Sequence, residues 1–288
     1  MIDAHIHVTN TGLAGIAEKS APDGTSFGQR IDTLAEALAS EMKAAGITQA
    51  LCMPRGTGTK GDPLGINQTL RLSTLIAGMY AIGVADPTTT DDEHLGRVEE
   101  VLKSGKVKAL KAYVGYIHYG PDAPGFHPYY KLAAQYKIPF IFHSGDTYSE
   151  RAKVKYAHPL LVDEVAVDHP DVKFVLAHFG NPWLIDAAEV VYKNNKRGVR
   201  ENVWTDLSGL VVGKQAEIEA LRKQGALKDV IDSVRKAFLY TECPDRFLYG
   251  SDWPLVPMAL YRDLIREMIP EEAHQAVFHD NAKALFGL

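Results

Sequence analysis

Cysteine is scarce in this sequence: of 288 residues only Cys52 and Cys243 carry a thiol. Two thiols so far apart in the chain supply neither a CxxC metal knuckle nor a disulfide framework, and a reducing compartment, the cytoplasm, is the expected location. Long apolar runs are missing as well. None approaches the ~18–20 residues that cross a bilayer, and Asp3, His5 and His7 stand where a signal peptide would place its apolar segment. No membrane partner is therefore expected. Nor does charge of one sign dominate: 31 Lys and Arg against 36 Asp and Glu give a net charge of -5. No long basic block occurs, which argues against nucleic acid as a partner. What remains is an ordinary globular composition, 46% hydrophobic and 23% charged, which excludes disordered, collagen-like and disulfide-scaffold chains.

Eight short runs rich in β-branched and aromatic residues read as strands: 3–8, 49–54, 80–86, 109–116, 139–144, 173–180, 203–209 and 247–253. Helical periodicity separates them, most clearly at Ile31, Leu34, Ala35, Leu38, Met42 and Ala45, with Gly46 placed to end that helix. Pro159 and Pro182 announce two later helices, over 160–167 and 183–192. Most strand starts are about 30 residues apart, the length of a strand plus a returning helix. Eight β/α units without a Pro/Gly/Ser-rich linker favour a single (β/α)8 TIM barrel domain over 1–288, rather than a doubly wound open sheet. In such a barrel the chemistry belongs at the C-terminal ends of the strands. The long loops Thr9–Arg30 and Ile117–His127 are candidate lids.

His5 and His7 are two apart, so on a strand both imidazoles point the same way, about 7 Å apart along the backbone. They could converge on one ion or form a hydrogen-bonded pair. Three further apolar runs end in a single ionisable residue: Phe140-Ile141-Phe142-His143, Phe174-Val175-Leu176-Ala177-His178 and Tyr249-Gly250-Ser251-Asp252. Alone, such a His is ordinarily satisfied by hydrogen bonds in the core, and such an Asp caps the next helix. Barrel closure would instead aim all five at one mouth. Imidazole with carboxylate suits Zn2+ or another divalent transition metal better than Mg2+ or Ca2+, with one ion per chain as the expected count.

The stretches Ile2-Asp3-Ala4-His5-Ile6-His7, Phe142-His143-Ser144-Gly145, Leu176-Ala177-His178-Phe179-Gly180, Leu248-Tyr249-Gly250-Ser251-Asp252-Trp253-Pro254 and Asp280-Asn281-Ala282-Lys283-Ala284-Leu285-Phe286 resemble the amidohydrolase superfamily. Within it, the chain is similar to the amidohydrolase-related branch of metal-dependent hydrolases and aminocarboxymuconate-semialdehyde-type decarboxylases. The resemblance runs from end to end. It implies a distorted barrel, and metal ligation by His5, His7, His143 and Asp252. It implies for His178 a role as catalytic base or electrophile beside one metal, or as a ligand to a second. Many two-metal relatives carry a carboxylated Lys at the end of the fourth strand. Lys111 lies on the matching strand, several residues short of its expected end, and reads more simply as half of a barrel-interior ion pair.

Gly56-Thr57-Gly58-Thr59-Lys60-Gly61 fits a dinucleotide fingerprint, with Asp86 ending the next strand. Pro63 and Gly65 delay the helix that should open at the third glycine, and this unit is not the first of the chain, so a nucleotide site is disfavoured. With Arg55 and Lys60 the loop is either a cradle for a substrate carboxylate or a Gly-rich surface loop. Arg55, Tyr113, Tyr116, His118, Trp183 and Trp253 are the candidate substrate contacts for a small molecule, whereas Arg151 reads as a solvated charge. The leading expectation is hydrolysis of a small organic amide, ester or lactone by metal-activated water, with Asp252 taking the proton and His178 polarising the carbonyl. The alternative is non-oxidative decarboxylation of a small carboxylic acid, with His178 or Asp252 protonating carbon. A non-enzymatic binding module is disfavoured, because structural zinc closes its shell with four protein ligands, whereas an extra His178 and Asp252 beside an open position suit reaction chemistry. Residues 270–288 could pack on their own barrel or on a second copy, which leaves a homo-oligomer open.

Overall fold

The computed structural model describes residues 1–8, 31–196, 198 and 200–288; the expected lid Thr9–Arg30 therefore lies outside the described residues. Eight strands, β1 (Ile2–His7), β2 (Gln49–Met53), β3 (Met79–Val84), β4 (Val107–Ala112), β5 (Phe140–Phe142), β6 (Phe174–Leu176), β7 (Val203–Asp206) and β8 (Phe247–Leu248), follow one another in chain order as one parallel sheet. The Ala4 N–H donates to the Tyr249 carbonyl and the His7 N–H to that of Trp253, which brings the last unit back to the first. This is the (β/α)8 TIM barrel that the alternation of elements implies. Among the described residues, ten α-helices surround it: α1 (Ile31–Ala45), α2 (Asn67–Leu72), α3 (Asp92–Lys103), α4 (His127–Tyr136), α5 (Leu160–Asp168), α6 (Leu184–Asn195), α7 (Gln215–Lys223), α8 (Ala226–Thr241), α9 (Met258–Met268) and α10 (Asn281–Phe286). None is long and apolar enough to cross a membrane.

Helix α1 buries Leu34, Ala35, Leu38, Met42 and Ala45, the expected stripe, and Gly46 ends it in the left-handed region at φ +71°. Ile2, Leu51, Met53, Ile82, Ala109, Ile141, Val175, Trp204 and Leu248 fill the barrel interior. Ala282, Leu285 and Phe286 of α10 join the same cluster, so this part of the C-terminal segment packs on its own barrel. The opposite faces of the strands, through residues such as Cys52, Leu110, Phe142 and Leu176, meet the helices.

The distortion is concrete in β1. Ile2 and Ala4 belong to the interior cluster, but Ile6 and Val8 belong to the helix-facing one. The pairing with β2 shifts register between Asp3 and Ile6. A strand of strict period two would keep the even positions inside and send His5 and His7 outward. The irregularity reverses the parity, and both histidines then line the cavity at the barrel mouth. Asp3 pins it: its buried Oδ1 accepts from the His5 N–H at 3.1 Å and from the Ser251 N–H at 3.0 Å.

Strands β4, β6 and β8 end earlier than the sequence pattern suggests, at Ala112, Leu176 and Leu248. After β6 and β8 the backbone turns into the left-handed region, at His178 (φ 62°), Phe179 (φ 47°) and Asp252 (φ 59°), where no ladder can continue. Left-handed backbone outside glycine costs about 1 kcal/mol or more per residue and gathers at functional sites.

Candidate metal centre

Three atoms able to ligate a metal converge at the C-terminal mouth of the barrel. His5 Nε2 lies 3.3 Å from His7 Nε2, His7 Nε2 lies 3.2 Å from Asp252 Oδ1, and His5 Nε2 lies 3.7 Å from the same oxygen. Asp252 Oδ1 is buried and, among the described residues, meets no hydrogen-bond criterion with a donor, although His7 Nε2 stands 3.2 Å away. The proton that would normally stand between His5 and its neighbours is elsewhere. His5 Nδ1 faces Asp206 Oδ2 at 2.9 Å, and a carboxylate only accepts, so Nδ1 carries the hydrogen and Nε2 is bare. Two imidazole nitrogens and a carboxylate oxygen at these separations call for positive charge between them, a cation or a proton on His7 Nε2. Bonds of about 2.0–2.1 Å to a tetrahedral ion place ligand atoms about 3.3–3.4 Å apart. The residues present therefore fit a zinc-like divalent ion. Burial pulls the pKa of His5, of His143 and of His178 (to about 4) below the ordinary imidazole range, which keeps these rings neutral, as metal ligation requires.

Around this centre runs a hydrogen-bonded second group, His5, His178 and Asp206, joined through Ser208. His178 Nδ1 is 2.9 Å from Ser208 Oγ, and Ser208 Oγ is 3.1 Å from His5 Nδ1 and in close contact with Asp206 Oδ1. Asp206 Oδ1 also accepts the backbone N–H groups of His178 and Ser208, each at 3.0 Å. Burial opposes ionisation of Asp206, but His5, through charge and its hydrogen bond, and then His178 and Lys111 outweigh it and hold the carboxyl far below the usual carboxylate range.

A family model for amidohydrolases matches residues 2–288. The chain belongs to the amidohydrolase family. No curated protein matches it. Among solved structures, an uncharacterised TIM-barrel protein of Bordetella bronchiseptica superposes with a TM-score of 0.69 at 20% identity, covering 100% of this chain and 98% of that one. An amidohydrolase of Burkholderia multivorans with bound zinc gives 0.65 at 18% identity, covering 100% and 99%. A 5-carboxyvanillate decarboxylase of Sphingomonas paucimobilis gives 0.65 at 15% identity, covering 100% and 99%. At these identities the likeness is one of fold.

A cavity of about 790 Å³ opens over the centre, lined by His5, His7, His143, His178 and Asp252. His143 stands apart from the converging triad. Its Nε2 lies 2.8 Å from the Asp146 carbonyl, which makes that nitrogen the donor and leaves Nδ1 bare, and its ring packs edge-on against Tyr116 and His178. Arg55, Tyr113 and Tyr116 line the cavity, with the Tyr113 hydroxyl donating to the Pro54 carbonyl at 2.8 Å. Three expected contacts lie off its wall. His118 is held against the Arg151 carbonyl, Trp183 packs on His158 before α6, and Trp253 is buried in the helix-facing core.

Lys111 corrects the expectation for β4. It sits one residue before the strand's end and lines the cavity, and among the described residues Nζ has no hydrogen-bond partner in place of the expected ion pair. The glycine loop also divides: Arg55, Gly56 and Thr57 reach the cavity, while Lys60 points outward to Glu93 at 3.5 Å. Helix α2 begins only at Asn67, so the strand-turn-helix context of a nucleotide site is missing. Of the other candidate lid, only Ile117 touches the cavity, and Phe126 is buried in the core.

Asp206, Ser208 and Gly209 were not singled out from sequence. The signal was available: Val203-Trp204-Thr205-Asp206 ends an apolar run with an ionisable residue, as the runs before His143 and His178 do. Gly209 lies at φ +65°, and a Cβ there would stand 2.8 Å from His178 Nδ1 and 2.9 Å from Asp252 Oδ2.

Proposed function

We propose that this amidohydrolase is a metal-dependent hydrolase of a small organic amide, ester or lactone, with His5, His7 and Asp252 holding the ion and His143 as fourth ligand through its bare Nδ1. The observation that carries the reading is the convergence of His5 Nε2, His7 Nε2 and Asp252 Oδ1, between 3.2 and 3.7 Å apart, with His5 Nε2 bare and Asp252 Oδ1 without an aligned donor among the described residues. A divalent ion bound there supplies hydroxide near neutral pH by lowering the pKa of its water from ~15.7 toward ~7. Asp252 keeps a second oxygen, Oδ2, on the His178 side at 3.9 Å from Nδ1, and this oxygen takes the proton from the attacking water and returns it to the leaving group. His178 handles charge or a proton at the reacting carbonyl. Tyr113, Tyr116 and Arg55 orient the substrate from the wall.

A second reading is favoured by one observation, two cationic side chains, Lys111 and Arg55, in the same cavity. They suit a carboxylated substrate, and in a carboxy-lyase His178 or Asp252 would deliver a proton to carbon. The decarboxylase of similar fold is consistent with that reading. The deciding experiment loads the protein with zinc, counts the metal, and screens lactones, amides and aromatic acids in 18O-labelled water. Hydrolysis gives one 18O in the product carboxyl, one ion per chain, and loss of both in His7→Ala and Asp252→Asn. CO2 release without 18O uptake replaces hydrolysis by decarboxylation; protein that binds no stoichiometric metal overturns both.

A further inference from the structure

His178 has two chemical options, to accept a proton or to present an N–H to a carbonyl, and its inner contacts choose between them. Nδ1 lies 3.3 Å from the Ser208 backbone carbonyl and 2.9 Å from Ser208 Oγ. A carbonyl has no hydrogen to give, so Nδ1 is the protonated nitrogen of the neutral ring. Ser208 has a single hydroxyl proton. His5 Nδ1 already donates to Asp206 Oδ2 at 2.9 Å and cannot receive it, and Asp206 Oδ1 is the closest acceptor. One consistent arrangement results: His178 Nδ1–H to Ser208 Oγ, Ser208 O–H to Asp206 Oδ1, and His5 Nδ1–H to Asp206 Oδ2. Both donor chains end on one buried carboxylate. Asp206 and Ser208 are buried beneath the cavity, and Gly209 leaves the His178 ring no room for a side chain beside it.

We propose that Ser208 and Asp206 are positioning residues that fix the tautomers of His5 and His178 together, so that His178 meets the substrate with a bare Nε2, as a proton acceptor. The inference rests on the metal-centre reading for the role of His5 and goes beyond it in assigning His178. It revises the sequence expectation, because a neutral ring protonated at Nδ1 cannot polarise a carbonyl through Nε2.

The test is a tautomer measurement on protein labelled with 15N-histidine, recorded metal-free and with Zn2+ as the only ligand. Wild-type protein is expected to show His178 protonated at Nδ1 in both states; protonation at Nε2 overturns the proposal without any variant. Ser208→Ala is expected to populate both His178 tautomers while zinc affinity changes less than threefold, and a spectrum identical to wild type removes Ser208 from the relay. Asp206→Asn, whose amide can donate to His5, is expected to weaken zinc binding 10- to 100-fold, and unchanged affinity removes Asp206. Failure of the metal reading shows separately, as wild-type protein that takes up no zinc while the metal-free spectrum still reports the His178 tautomer.

Discussion

Lys111→Met is expected to make the metal-free protein more stable, by an amount the structure bounds. The ammonium is fully buried and has no hydrogen-bond partner among the described residues. Burial lowers its pKa from the ordinary 10.5 to about 8, although the charges of Asp206 and Asp252 pull the other way. At ~1.36 kcal/mol per pH unit, that drop means the charged form costs the fold about 3 kcal/mol at pH 7. The sign follows from proton counting. Between pH 8 and 10.5 the unfolded chain still holds a proton that the folded chain has released, so this group makes stability rise with pH through that window. Below pH 8 both states are protonated and the whole cost is present. Methionine has nearly the same shape and no charge, so the variant should gain up to about 3 kcal/mol at pH 7 and lose that advantage by about pH 10.5. Urea midpoints at pH 7 and pH 10.5, read at unchanged slope, measure it. A variant no more stable than wild type at pH 7, or equally advantaged at both pH values, would refute the reasoning. Retaining so costly a cation at the floor of a cavity fits a site kept for its chemistry at the expense of stability.

Gly209→Ala should fold but bind zinc at least tenfold more weakly, since the new methyl must displace His178 or Asp252 by the contacts of 2.8 and 2.9 Å it would make; wild-type affinity in a calorimetric titration would contradict this. The metal-free protein should also weaken in mild acid. Burial lowers the His178 pKa from 6.5 to about 4, so between those values the unfolded chain binds the extra proton, and stability is lost as pH falls, by up to about 3 kcal/mol from this ring. His178→Gln should flatten that fall in urea midpoints between pH 7 and pH 4.5, and an equally steep fall in the variant would exclude His178 as its source.

The barrel was legible because its apolar runs and helical stripes recur with an architectural period, and the centre was legible because His143, His178 and Asp252 each interrupt an apolar run at the same end. What pattern reading could not see was backbone conformation. The left-handed residues His178 and Asp252 end β6 and β8 early, and a register shift within β1, invisible in the letters, decides that His5 and His7 face inward. Direction beyond a strand end was equally hidden. Tyr113 and Tyr116 reach the cavity, while Trp253, adjacent to Asp252, turns into the helix-facing core. Asp206 escaped notice because Asp-Leu-Ser-Gly also reads as turn chemistry, and only the fold places it under His5.

The seam where β8 returns to β1 carries a consequence for biosynthesis. His5 leaves the ribosome well before Asp252, yet the two stand 3.7 Å apart in the folded barrel, as the proposed site needs. A nascent chain therefore carries the histidine pair without its carboxylate for most of translation, and a half-built barrel offers no complete cage. Such distant pairing also slows folding. On the proposed reading, the full ligand set for the ion is thus assembled only after the barrel closes.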